Sequence, residues 1–166
     1  MTAHLVVSHR HPGRYAFNVL VGALEDLEAD GRVVVHVARN REALLRETRA
    51  ALDAGGAVAV AWSFYSPSMA PCAEELAWLR SVESRPFLAL AGGVHATSEP
   101  LETLQAGFDR VVVGEGEHAL RAVMQALAEG GPVDGVPGVA SLKDGKVHLS
   151  ARAQAVEHLD TFPAFS

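Results

Sequence analysis

The run FLALAGG at residues 87–93 constrains the fold more than any other part of the chain. Its first five side chains are all apolar, which is typical of a strand buried on both faces of a parallel sheet. The two glycines end the strand and allow close backbone approach, and Thr97 or Ser98 is predicted to cap a helix with Pro100 in its first turn. The run therefore predicts a strand-loop-helix junction, where open α/β sheets bind their ligands. A plain tight turn is the alternative explanation for two adjacent glycines.

Apolar strands alternate with helical periodicity along most of the chain. Asn40 is expected to cap the second helix, and apolar side chains follow each strand at helical spacing. Five such units predict a doubly wound α/β fold, with a mainly parallel five-stranded sheet and helices on both faces. The loops after the first, third, fourth and fifth strands should line one edge, where a flat ligand with a polar rim can lie. The predicted strands are residues 4–8, 32–37, 57–62, 87–91 and 110–113.

The alternation stops after the fifth unit. A hairpin is predicted around the pair Asp144-Gly145, which is typical of a primed turn. Its strands are residues 139–142 and 146–149. We therefore predict an α/β domain over residues 1–135, followed by a hairpin and a linker over residues 136–166.

The final segment, residues 156–166, has no regular period, but it holds Leu159, Phe162 and Phe165. Two exposed phenylalanines would leave an apolar patch of the kind that marks an interface. We expect this segment to lie in extended form on the surface of the domain, and its natural partner to be a second domain.

The composition argues against several classes of partner. The 166 residues carry a net charge of -6 and hold no basic run, which argues against binding to nucleic acid through its phosphates. The apolar runs are too short to cross a membrane and the N-terminus lacks a secretory pattern, so we expect a cytoplasmic protein with no membrane partner. Cys72 is the single cysteine, which excludes an internal disulfide or a cluster held by cysteines alone. We expect it to be a small buried side chain.

The residues alone leave the ligand open, since this architecture serves flavins, nucleotides, cobalamin and phosphorelay alike. A flavin protein of this fold would have a hydroxyl-rich phosphate loop after the first strand, where this chain reads SHRHPGR. A phosphorelay receiver would have acidic residues near the ends of the first and third strands, where Ser8 and Ser63 stand. A metal site would pair His9 with His11, with His4 as a further candidate. It lacks a third placed ligand, so solvated histidines are the simpler explanation.

The order of four motifs carries further information. They read GGVHATSEP, DRVVVGEGEHAL, VPGVASLKDGKV and EHLDTFPAF. In this order they resemble the N-terminal cobalamin (vitamin B12)-binding domain of radical S-adenosylmethionine (SAM) enzymes, over most of the chain. The resemblance is strongest from Ala91 to Glu117, where the family reads GG-x-H-A-T and then GEGE, and in the tail, where it reads L-D-x-F/L-P.

A second element is similar to the family in its spacing. Cobalamin-binding domains have a Ser-x-Leu or Ser-x-Thr element after the third strand, at a set distance before the glycine pair. Here Ser63-Phe64-Tyr65 precedes the glycine pair by 26 residues, although Tyr65 departs from the pattern. The resemblance implies a flavodoxin-like, Rossmann-like cobalamin-binding fold.

The resemblance also implies a role for each loop at the predicted edge. Hydroxyl groups after the third strand would bind the nucleotide tail, and the glycine pair after the fourth would leave room for it. The residues after that pair would line the corrin rim, and backbone N–H groups after the fifth strand would meet corrin amides or the phosphate. The implied cofactor-binding residues are Ser63, Phe64, Tyr65, Ser66, Gly92, Gly93, Val94, His95, Thr97, Gly114, Glu115 and Gly116.

Several of these roles have a simpler alternative. Ser63 would otherwise belong to a strand-end turn, and His95 would be a loop histidine satisfied within the protein. Glu115 and Glu117 would stabilise the dipole at the start of the last long helix.

The chain departs from the parent enzymes in its cysteines. Such enzymes hold a 4Fe-4S cluster with a C-x-x-x-C-x-x-C motif, and this chain has Cys72 alone. No activity is therefore expected from this chain by itself. Its expected cofactor is cobalamin, while the cluster and SAM belong to the parent.

The resemblance implies an excised N-terminal domain. Its partner would be the C-terminal radical SAM domain of the same polypeptide, and the parent's reaction would be a methyl transfer or a rearrangement. The alternative is a fold of the same class that has lost its ligand and serves as an interaction or scaffold domain.

The loop after the first strand bears on the lower face of the cobalt. Cobalamin proteins that supply a histidine ligand share an Asp-x-His-x-x-Gly element there. His11 stands in the histidine's place if His9 takes the aspartate's, and Arg14 then replaces the glycine. His9 is not an acidic partner, and Arg10 disfavours a second positive charge nearby. We therefore expect base-off cobalamin with no metal ligand from the protein, its lower face covered by an apolar or hydroxyl-bearing side chain from the first or third loop.

Overall fold

A computed structural model of the chain describes residues 1–9, 21–63, 69–114 and 116–150, with the backbone alone described for Val94. Each strand lies within one residue of its predicted bounds. The strands are β1 (Ala3–Ser8), β2 (Val33–Ala38), β3 (Val58–Ser63), β4 (Leu88–Gly92), β5 (Arg110–Val112), β6 (Val139–Lys143) and β7 (Lys146–Leu149). The helices are α1 (Glu25–Ala29), α2 (Arg41–Ala54), α3 (Met69–Val82), α4 (Val94–Ser98), α5 (Pro100–Gln105) and α6 (Glu117–Ala128).

The strands form one sheet in the order β2-β1-β3-β4-β5-β6-β7, with β1 to β5 parallel. The prediction of five strands is wrong in number, because the hairpin joins the same sheet. Val111 of β5 pairs antiparallel with Ala140 of β6. The short β5 would otherwise leave backbone N–H and C=O groups unpaired at the sheet edge, and the hairpin supplies their partners.

The hairpin has the predicted primed turn. Asp144 and Gly145 have φ angles of 53° and 75°. Positive φ at both central residues is the signature of a type I′ turn, whose twist matches that of the flanking strands. The Asp-Gly pair therefore determines where β6 ends and β7 begins.

Helices cover both faces of the sheet, as the doubly wound prediction requires. Val6 and Val60 pack beneath α2, α3 and α5, whereas their neighbours Leu5 and Ala59 pack beneath α1 and α6. This alternation follows from the two-residue period of a strand. Each buried leucine contributes roughly 1.5–3 kcal/mol, so both layers hold the sheet. Cys72, expected to be buried, is half-buried and packs against the core layer that contains Val6 and Val60.

The start of α2 is as predicted. Asn40 Oδ1 accepts a hydrogen bond from the backbone N–H of Ala43 at 2.8 Å, and Gly55 follows the helix at a φ of 85°. Such caps satisfy backbone groups that a helix leaves unpaired at its ends. Among the helices of the described ranges, none is long and apolar enough to cross a bilayer.

The predicted cap after the glycine pair is wrong. Thr97 and Ser98 belong to α4, a separate short helix, and Glu99 is the N-cap of α5 without a side-chain hydrogen bond. Pro100 lacks the N–H that would continue α4, and its fixed φ suits the first turn of a new helix. The chain therefore stops α4 and restarts as α5.

Candidate functional site

The carboxyl ends of the parallel strands form one edge, which we call the carboxyl edge. The strand order reverses at β1, which has β2 on one side and β3 on the other. In this sheet order, ligands bind at the crevice between β1 and β3. Ser8, the last residue of β1, pairs with Trp62, and Ser63, the last residue of β3, pairs with Gly92. The ends of β1, β3 and β4 therefore lie level with one another.

Several predicted site residues lie outside the described residues. They are His11, Phe64, Tyr65, Ser66 and Glu115, and their roles stay predictions. Of the others, Ser63 is exposed at the end of β3, directly across the ladder from Gly92. The structure thus brings the hydroxyl-bearing strand end and the glycine pair together, and their contact with a cofactor stays a prediction.

Gly93 makes the turn from β4 into α4. Its φ is 101° and its ψ is -177°, a backbone conformation that is essentially limited to glycine. Its carbonyl accepts a hydrogen bond from the N–H of Thr97 at 3.0 Å. Gly92 is different, since a Cβ there would lie 3.9 Å from the carbonyl oxygen of Val112, an ordinary contact. The backbone therefore requires glycine at the second position of the pair.

His95 faces the protein. It is 8% exposed, and its Nε2 lies 3.5 Å from the Glu102 carboxylate of α5. This distance is longer than a typical hydrogen bond, so the alternative of a histidine satisfied within the protein also stays a prediction. Contact with a ligand at the exposed remainder of the ring stays a prediction.

Thr97 joins the loops that follow β4 and β5. Its Oγ1 accepts a hydrogen bond from the backbone N–H of Gly114 at 3.1 Å. The N–H of Gly114, predicted to meet a ligand, is engaged by Thr97 in this arrangement. The bond holds the start of the GEGE motif against α4, a contact that sequence reasoning missed.

The GEGE motif ends at the start of α6. Gly116 has a φ of 90° and a ψ of -17°, and it is the N-cap of α6 without a side-chain hydrogen bond. Glu117 follows in the first turn and is buried. The first turn is the position from which a carboxylate would stabilise the helix dipole, the alternative explanation for this residue.

Sequence reasoning also missed Glu75, a buried carboxylate on α3. Its Oε1 accepts hydrogen bonds from Ser8 Oγ at 2.7 Å and from Trp62 Nε1 at 3.0 Å. A signal was present in the sequence, because Glu75 lies four residues before Leu79 and so shares the apolar face of its helix. A carboxylate on a buried face needs hydrogen-bond partners, and the ends of β1 and β3 provide them.

Two histidines of the rejected metal site are far apart. His4 lies near the start of β1, and His9 follows its other end, about 16 Å away at 3.3 Å per residue. His4 Nδ1 lies 3.0 Å from His36 Nε2, and burial, followed by the neighbouring His36, lowers the pKa of His4. Over the described ranges, no group of three or more His, Cys, Asp or Glu residues could hold a metal ion.

A cleft of about 260 Å³ lies along the hairpin, beside the start of β5. Arg110, Asp134, Lys143 and His148 are among the residues that line it. Ligand pockets typically measure roughly 300–1,000 Å³, so this cleft is small even for a drug-sized molecule. None of the predicted site residues that the structure describes lines it.

The carboxyl edge presents several polar groups without a fixed charge. An exposed hydroxyl at Ser63, the glycine turn at Gly93 and the start of α6 lie on three neighbouring strand ends. These groups donate and accept hydrogen bonds without a fixed charge, which suits uncharged amide side chains. Two buried carboxylates also lie there: Glu75 is engaged with the strand ends, and Glu117 is in the first turn of α6.

The chain matches known proteins in both sequence and fold. The family model of the B12 binding domain matches residues 14–124. The radical S-adenosylmethionine methyltransferase TsrM from Kitasatospora setae, solved with cobalamin and a 4Fe-4S cluster bound, has a TM-score of 0.69 at 20% identity. That match covers 99% of this chain and 31% of TsrM.

A second solved structure shows the same fold. The cobalamin-dependent S-adenosylmethionine radical enzyme OxsB, with aqua-cobalamin bound, has a TM-score of 0.70 at 17% identity, over 93% of this chain and 22% of OxsB. The chain therefore spans less than a third of the length of either enzyme. No curated protein matches the chain.

Proposed function

The chain belongs to the B12-binding domain family, and from that premise we propose that it holds cobalamin across its carboxyl edge, on the loops that follow β3, β4 and β5. One observation carries the location. The β3–β4 ladder places Ser63 directly opposite Gly92, at the edge where the strand order reverses. A hydroxyl donor thus stands beside a glycine turn at the place where open α/β sheets bind ligands.

Each group at the edge then has a task. The Ser63 hydroxyl and the predicted Ser66 hydroxyl bind the nucleotide tail, and the tail enters beside the glycine pair. Val94, His95 and Thr97 lie along the corrin rim. The backbone at Gly116 and the predicted Glu115 meets the corrin amides, while Thr97 keeps that loop in place through Gly114. The bound cofactor supplies a cobalt that can carry a methyl group or accept one electron.

We further propose that cobalamin binds base-off and without a histidine on cobalt. His9 stands where the family's histidine-donating members have an aspartate, and it is buried, with its backbone N–H bonded to the carbonyl of Ala38 at 2.8 Å. An imidazole at that place does not supply the carboxylate that orients a histidine ligand. A side chain from the loop after β1 or β3 would cover the lower face instead.

The natural partner in this proposal is a radical SAM domain in the same polypeptide. The support is the fold shared with TsrM and OxsB, enzymes in which the matching part is 31% and 22% of the chain. Such a domain would carry the iron-sulfur cluster and SAM, and this chain would present the corrinoid to it. Residues 156–166, which lie outside the described residues, would lead toward that domain.

Retention of cobalamin tests the proposal directly. The chain is mixed with hydroxocobalamin and desalted, and the visible spectrum of the protein fraction is recorded. We expect retained cobalamin in the unsubstituted chain and none in Gly93→Trp, because the indole would fill the entry beside the glycine turn. Gly55→Trp is the matched control, since Gly55 has nearly the same backbone angles, a φ of 85° and a ψ of 172°, at the opposite edge.

Retention by a folded Gly93→Trp variant would place the site elsewhere. Loss of cobalamin in every form, the unsubstituted chain included, would favour the ligand-free scaffold domain. The same sample, reduced to cob(II)alamin, tests the axial ligand by electron paramagnetic resonance. A nitrogen superhyperfine triplet that disappears in His11→Ala would contradict base-off binding without histidine.

A further inference from the structure

Glu75 ties one helix to two strand ends. Its carboxylate is 2% exposed, and the single oxygen Oε1 accepts from Ser8 Oγ and Trp62 Nε1. Ser8 and Trp62 are partners on the ladder between β1 and β3. One carboxylate oxygen therefore links α3 to both strands that flank the crevice where the strand order reverses.

Stability alone does not account for a carboxylate at this place. Burying a charged group is costly, and an apolar residue would extend the buried face that Leu76 and Leu79 form on α3. Both donors lie near strand ends: Ser8 is the last residue of β1, and Trp62 directly precedes Ser63, the last residue of β3. Each donor thus lies close to the point where a loop that borders the crevice begins.

We propose that Glu75 is a positioning residue for the cofactor. Through its two hydrogen bonds, Glu75 fixes the ends of β1 and β3 relative to each other. It thereby sets the shape of the crevice that the lower face of the corrinoid meets. This inference rests on the proposed function and adds a residue to it. Glu75 itself acts through Ser8 and Trp62.

Asp109 provides a matched control at the opposite edge. Its Oδ2 accepts from the backbone N–H of Ala89 at 2.7 Å and from Arg80 Nη2 at 2.9 Å. It therefore ties β4 to α3 with one oxygen and two donors, as Glu75 ties β1 and β3 to the same helix. Replacing either carboxylate by its amide exchanges a charged acceptor for a neutral one, but only Glu75 lies beside the candidate site.

The experiment compares Glu75→Gln with Asp109→Asn in the whole chain. Three quantities are measured: the Kd for hydroxocobalamin by visible titration, the urea midpoint of unfolding, and the paramagnetic resonance spectrum of bound cob(II)alamin. We expect Glu75→Gln to raise the Kd about tenfold and to change the spectrum, because the amide oxygen still accepts from Ser8 and Trp62 but replaces two charge-assisted hydrogen bonds with weaker neutral ones. Asp109→Asn should lower the urea midpoint with the Kd and spectrum unchanged.

A purely structural role makes a different prediction. If Glu75→Gln lowers the urea midpoint as Asp109→Asn does and leaves the Kd and spectrum unchanged, the inference is overturned. Failure of the unsubstituted chain to bind cobalamin would overturn the proposed function, and this inference with it.

If Glu75→Gln does not fold, two other variants still test the inference, because each removes one of the two donors to Glu75. Ser8→Ala removes the hydroxyl donor, and Trp62→Phe removes the indole N–H while keeping an aromatic ring against Phe108, whose centroid lies 5.6 Å from that of Trp62. We expect each variant to raise the Kd and alter the spectrum. Unchanged Kd and spectrum in both would overturn the inference.

Discussion

The two edges of the sheet are built from different groups. At the edge opposite the carboxyl edge, which we call the amino edge, strands begin and helices end. Arginine side chains there link strand starts to helix ends. At the carboxyl edge, strands end and helices begin, and α4 and α6 start at glycines without side-chain caps. The ion pairs of the amino edge are Arg32–Asp30, Arg49–Glu83, Arg80–Asp109, Arg85–Glu83, Arg85–Asp53 and Arg110–Asp134.

Helix polarity explains the difference. Helix C-termini leave carbonyl groups unpaired and carry partial negative charge, which favours cations. Arg49 Nη2 accordingly donates to the carbonyl of Val82 at the end of α3, at 2.9 Å, and Arg80 Nη1 donates to the carbonyl of Gly107, at 2.6 Å. Side chains of the protein thus close the amino edge, while the proposed ligand would meet the glycine starts of α4 and α6 at the carboxyl edge. We expect substitutions at the first edge to affect stability and those at the second to affect binding.

The largest difference between the two edges is expected from alanine substitutions at the two ends of α6. Gly116 precedes the helix with a φ of 90°, and Gly130 follows it with a φ of 72°. Alanine at either position should destabilise the fold by about 1–2 kcal/mol, because a Cβ is strained at positive φ. Urea unfolding should show similar losses, whereas cobalamin retention should fall in Gly116→Ala alone. Equal loss of cobalamin in both variants would contradict the separation.

A smaller effect is expected from Thr97, which belongs to the carboxyl edge. Thr97→Val removes the acceptor of the Gly114 N–H and should cost about 0.5–1 kcal/mol of stability, since water can reach the exposed Gly114. It should also weaken cobalamin binding, because the loop after β5 loses its tie to α4. Thr97→Ser keeps the hydroxyl and should retain binding. Equal binding by the valine and serine variants, measured by visible titration, would show that this bond does not serve the site.

The smallest effect is expected at the amino edge, from Glu83. Hydrogen bonds from Arg85, followed by Arg49, lower the pKa of Glu83 from 4.5 to about 2. A lowered folded-state pKa means that the charged carboxylate stabilises the fold above pH 4.5, and that this contribution is lost as pH falls toward about 2. Glu83→Gln should flatten the fall of the urea midpoint over that range. The effect is small because both arginines are nearly half exposed and solvent screens the pairs.

Cobalamin binding provides the second readout for Glu83→Gln. The Kd at neutral pH should equal that of the unsubstituted chain, since Glu83 lies at the edge away from the site. A weaker Kd in this variant would mean that the two edges are coupled.

Local rules were enough for the elements themselves. The apolar run at 87–93 predicted β4 and its glycine turn, Asn40 predicted the start of α2, and Asp144-Gly145 predicted the hairpin turn. Each of these depends on residues next to one another in the chain, whose φ preferences and side-chain hydrogen bonds act over a few positions. The cap assigned to Thr97 or Ser98 failed because Pro100 divided the segment into two helices.

The sequence by itself thus determined where the strands lie in the chain, that the sheet is mainly parallel, and where the glycine turns of the candidate site occur. Only the tertiary structure decided that the hairpin extends the sheet to seven strands, that Thr97 reaches Gly114 across 17 residues, and that Glu75 reaches Ser8 across 67. These contacts depend on how far each helix slides along the sheet before its apolar face is buried. Periodicity identifies that face but not the position along the strands, because packing against both neighbours at once selects it.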